Sequence, residues 1–82
     1  MLKYEGIAKV GDRIRAYHFE PFEGRPKYYV EGVVDSIKIN SANVKCFRIK
    51  CDVDTLWPEQ KPDWYDVSMG LLFDWEGRIE VL

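Results

Sequence analysis

At 82 residues the chain has room for one hydrophobic core, so it reads as a single domain spanning 1–82. A hydrophobic content of 46% with 15% aromatic residues excludes intrinsic disorder, and no apolar run approaches the ~20 residues of a membrane-spanning helix. The net charge of −2 argues against strong nonspecific binding to nucleic acid, which scales with the phosphates a protein neutralises.

The opening "MLKYEGIAKVGD" is interrupted by charges and has no apolar stretch typical of a secretion signal, so a cytoplasmic location and no membrane partner are expected. Short segments rich in β-branched and aromatic residues follow, separated by turn-like punctuation. The first predicted strand is 13–19. Ile14, Ala16 and His18 share one of its faces, and Arg13, Arg15, Tyr17 and Phe19 share the other. If the first set faces inward, the second makes a cationic aromatic surface; the reverse parity buries the rings.

The second strand, 27–39, carries Gly32 at its middle. Tyr28 and Val30 define a face before the glycine, and Val33, Ile37 and Ile39 define one of opposite parity after it. That switch predicts a β-bulge or bend at Gly32. The third strand, 44–53, alternates, with Phe47, Ile49, Cys51 and Val53 inward and Cys46, Arg48, Lys50 and Asp52 outward. Segments 63–69 and 77–82 supply the last two strands, with Trp64 and Tyr65 on opposite faces, and one helical turn is allowed near 68–72.

Five short strands with a long first loop and a bent second strand predict an all-β fold, a small five-stranded antiparallel SH3-like barrel. An OB-like barrel is the alternative. Closure of the sheet is expected to remove its edges. Cys46 and Cys51 would lie ~16 Å apart on opposite faces of one strand, too far for a disulfide. With a single histidine in the chain they cannot converge on a metal, and no cofactor is expected.

Charge is unevenly spread. Residues 1–50 hold ten basic and six acidic side chains, a balance of +4, and residues 51–82 hold two basic and eight acidic, a balance of −6. Either the fold has two faces of opposite sign, or the halves pair across it.

No G-x-S-x-G, phosphate loop or calcium loop occurs, so an enzyme is not expected. A deep pocket holding two carboxylates would revive that reading. The expected function is a noncatalytic binding module for a protein or peptide, working as a monomer or weak homodimer. Its site would be the groove between 18–29 and 56–65. Tyr17, Phe22, Trp57, Trp64 and Tyr65 would give apolar contact, and Arg15 and Arg25 would orient the ligand. The alternative is a single-stranded nucleic-acid binder using Arg13, Arg15, Arg25, Lys27, Lys45, Arg48 and Lys50, with Tyr17 and Tyr29 as stacking rings. A third reading, a phage or assembly component, would reveal itself as an exposed apolar patch or a stable oligomer.

The stretch "VGDRIRAYHFEP" followed by "GRPKYYVEGVV" resembles small uncharacterised proteins of tailed phages and some aquatic bacteria. They share a Gly-Asp, a basic-apolar strand ending in Tyr-x-Phe, a Gly-Arg loop and an aromatic strand ending in Glu-Gly-x-Val. The resemblance covers residues 10–34, extends to the closing "FDWEGRIEVL", and implies a free-standing barrel. It transfers no functional residues.

Overall fold

The computed structural model describes residues 2–20 and 27–82. Five strands form one antiparallel sheet: β1 (Arg13–Tyr17), β2 (Tyr29–Ile39), β3 (Lys45–Asp54), β4 (Trp64–Ser68) and β5 (Ile79–Val81). Their order across the sheet is β4-β3-β2-β1-β5, so four strands run as a meander and the fifth returns to the outer side of β1. The single helical turn among the described residues is a 3-10 turn at Pro58–Gln60, ahead of β4 rather than after it.

Strand β1 settles the parity left open by the sequence. Ile14 and Ala16 are buried in the core, while Arg13, Arg15 and Tyr17 lie on the outer face. The strand stops at Tyr17, two residues short of the predicted end. On the inner face Phe47 and Ile49 of β3, Val34 of β2, Val67 of β4 and Met69 pack around Ile14. Tyr4, ahead of the first strand, closes one end of this core. Its N–H donates to the Met69 carbonyl (2.9 Å) and its hydroxyl bonds the Trp75 carbonyl.

Strands β2 and β3 are joined by a tight turn. The Asn40 side chain accepts from the N–H groups of Ala42 and Val44, and Asn43 takes φ of 61°. Two register shifts interrupt their pairing, one between Glu31 and Gly32 and one between Val34 and Ser36. At the first the extra residue is Asp52 on β3, and at the second it is Asp35 on β2. The change of parity on β2 therefore falls at Asp35 and not at Gly32: Val34 is buried and Val33 is not. On β3 the extra Asp52 sends Asp54 into the interior and leaves Val53 paired with Glu31 on the outer side.

The barrel-like curl does not close, contrary to the expectation above. β4 and β5 are edges, and no ladder joins them. β5 has only three residues, and its ladder is with β1 alone, so no backbone pairing bridges the remaining gap. A side chain does so instead. Arg78, just before β5, donates through Nη2 to the carbonyl of Ser68 at the end of β4 and through Nε to Asp74 (2.6 Å).

Candidate functional site

The outer face of β1 and β2 is cationic and aromatic in composition, yet most of its charge is engaged. Glu31 lies between two arginines, accepting from Arg13 Nε (2.8 Å) and Arg15 Nε (2.9 Å). Arg13 also grips Asp52 with both terminal nitrogens, at 2.9 and 2.7 Å. Burial alone would raise the Glu31 carboxyl, but the hydrogen bonds from Arg15 and Arg13 outweigh it and hold it below the usual range. Asp52 is lowered by the same Arg13. The Arg15 guanidinium lies 4.3 Å from the centre of the Tyr29 ring, and Tyr17 meets that ring edge-on at 5.8 Å.

The gap between β4 and β1 is a cleft of about 210 Å³ bordered by Tyr17, His18, Tyr65, Asp66, Ser68 and Arg78, with Ala16, Val30 and Val67 at its floor. The register of β4 decides what its backbone presents there. Met69 N–H donates to the Lys45 carbonyl and Cys51 N–H to the Asp63 carbonyl. Alternation of the ladder then turns the odd-numbered residues of β4 toward β3. The N–H and C=O groups of Trp64, Asp66 and Ser68 point to the open side, where only the Ser68 carbonyl has a partner among the described residues.

Two groups in this region are buried and polar. The Asp54 carboxylate accepts from the N–H groups of Leu56 (3.0 Å) and Trp57 (3.1 Å), turning the chain into the 55–61 loop. His18 Nε2 lies 3.7 Å from Asp54 Oδ1, beyond hydrogen-bond reach, and is buried without a hydrogen-bond partner among the described residues. Tyr65 stands edge-on to the His18 ring at 5.9 Å. Burial, reinforced by Asp54, pushes the Tyr65 hydroxyl above its usual range.

Of the residues expected to form a groove, Tyr17 and Tyr65 come together in this cleft. Trp57 is exposed on a separate shallow hollow with Leu56 and Pro58–Gln60. Trp64 projects from the other face of β4, with Arg48 4.9 Å and Lys50 5.8 Å from its ring centre. Arg15 belongs to the Glu31 network on the outer face. Phe22 and Arg25 lie outside the described residues. His18, Asp54 and Arg78 were not anticipated as site residues. The signal for Asp54 was the Asp-x-Leu-Trp spacing, which places two N–H groups within reach of a side chain two and three residues earlier.

Of the cations proposed for nucleic-acid contact, Arg13, Arg15 and Lys45 are paired with acids, Lys45 with Glu5 at 3.7 Å. The loop after β4 carries a further unforeseen feature: Leu71, Leu72 and Phe73 are exposed in succession.

No family model, curated protein or solved structure matches the chain.

Proposed function

We propose that the chain is a noncatalytic binding module that takes an extended segment of a partner protein along β4, beside the open cleft. The observation that carries this reading is the edge of β4, unpaired among the described residues, with the Asp66 N–H and C=O directed away from β3, bordering a cleft in which His18 Nε2 has no partner among those residues. A peptide strand added there would satisfy the edge groups, as in other cases of β-strand addition, and place alternate side chains between Tyr17 and Tyr65. The nucleic-acid reading draws less support, because the arginines of β1 already hold carboxylates.

Peptides selected from a random displayed library against the immobilised chain supply the probe, with affinity read by fluorescence anisotropy. Asp66→Pro removes the edge N–H while sparing the β3 ladder, to which Asp66 gives nothing; Asp66→Ala controls for the side chain and its ion pair with Lys38. The expected result is a ~10-fold loss of affinity in the proline variant and near-wild-type binding in the alanine variant. Equal binding by both variants, or no peptide enriched over background, overturns the reading.

A further inference from the structure

One end of the molecule, where the β2–β3 turn meets the loop after β4, is apolar and uncovered. Leu72 is 65% exposed, Phe73 86% and Ile39 64%. Leu2, Ile39, Val44 and Leu71 border a single hollow of about 520 Å³. Slack in the chain does not explain this display. Gly70 takes φ of 70° and donates to Ser68 Oγ (3.0 Å), and Asp74 N–H donates to the Leu71 carbonyl (2.9 Å). The Asp74 carboxylate is in turn held by Arg78.

Side chains of this size offer ~150–200 Å² each, so Ile39, Val44, Leu71, Leu72 and Phe73 together expose roughly 500 Å² of apolar surface. Two such surfaces face to face would remove ~1,000 Å² from water, near the lower bound for a specific interface.

The charges around the patch point to what covers it. In a contact about a two-fold axis the same rim meets itself, residue i against j and j against i, so unpaired rim charges of one sign oppose the contact. Here they are paired within the chain, Lys3 with Glu76 at 2.6 Å, Lys45 with Glu5 at 3.7 Å and Arg78 with Asp74 at 2.6 Å. Glu20, beyond Phe73, is the one rim charge without a counterion among the described residues, which limits affinity without forbidding the contact. The rim offers no net positive charge to draw an anionic membrane or a polyanion. We infer that two copies of the chain associate weakly through this end.

Sedimentation equilibrium of the full chain from ~10 μM to ~1 mM covers the range in which so small an interface dissociates. The average mass should rise from 9.7 kDa toward twice that value. The double variant L72E/F73E should stay monomeric and melt like the wild type in dilute solution, and V81E, an exposed apolar position on β5, should associate like the wild type. A wild type that remains monomeric throughout, growth past the dimer, or undiminished association of L72E/F73E overturns the inference.

Discussion

A methyl group at position 32 would sit 2.1 Å from the Lys50 carbonyl oxygen and 2.8 Å from its carbon. Both are backbone atoms of the neighbouring strand, so neither can swing away. Gly32 is therefore required by the approach of β3 at the first register shift, not by a left-handed backbone. Gly32→Ala should cost at least ~2–3 kcal/mol in a urea melt, the range of overpacked cores. A loss below ~1 kcal/mol would mean that the sheet can spread at this point. The glycine was legible as a mark of irregularity in the strand, but what it accommodates was not. A neighbour at close range belongs to the fold, and a one-dimensional sequence does not contain it. His18 shows the same boundary. Its place on the face of Ile14 and Ala16 was readable from alternation, whereas the approach of its ring to Asp54 and Tyr65 depends on the extra residue at Asp52.

Alternation was the most informative signal for the strands. It separated the two faces of β1 without saying which is buried, and placed Phe47, Ile49 and Cys51 correctly on β3. It failed beyond Asp52 and around Asp35, because an extra aspartate on a polar face looks like any other solvated residue. The two bulges nonetheless make deletions interpretable. Deleting Asp35 leaves every cross-strand pair of β2 and β3 in place, since Val34 already pairs with Ile49 and Ser36 with Arg48. Deleting Lys38 instead draws the slack from Asp35 and exchanges the faces of Ser36 and Ile37. Removal of Asp35 should cost ~1 kcal/mol, and removal of Lys38 clearly more. Equal melting temperatures by circular dichroism would contradict this register. The β4 edge was the opposite case: the strand itself was readable, but its lack of a second neighbour among the described residues was not, because an edge is defined by what other strands do not reach.

The charge imbalance between the two halves resolves in part as pairing. Arg13 with Asp52, Lys3 with Glu76 and Lys38 with Asp66 each join a base from the first fifty residues to an acid from the rest. Acid sensitivity follows from the carboxylates in these networks. Glu31 and Asp52 titrate below their ordinary values of 4.5 and 3.8, so near those values the unfolded chain binds protons that the folded chain refuses. Their contribution is present above the ordinary values and is lost as pH falls through the lowered ones. Melting temperature should hold between about pH 5 and 8 and decline below about pH 4.5. Glu31→Gln, which leaves two arginines facing a neutral amide, should cost about 1–2 kcal/mol at neutral pH and flatten the acid decline. An unchanged decline in that variant would place the acid sensitivity elsewhere.

The return of β5 to β1 also fixes an order of assembly. The β2–β3–β4 meander can pair as each strand emerges during synthesis, because its neighbours are close in sequence. β1 cannot gain its second neighbour until Ile79–Val81 exist, and Tyr4 has neither Trp75 nor Arg78 to bond before then. Throughout that interval the growing chain carries its basic half ahead of the acids that will neutralise it, with one flank of the core open. The fifth strand is thus the one that completes the first.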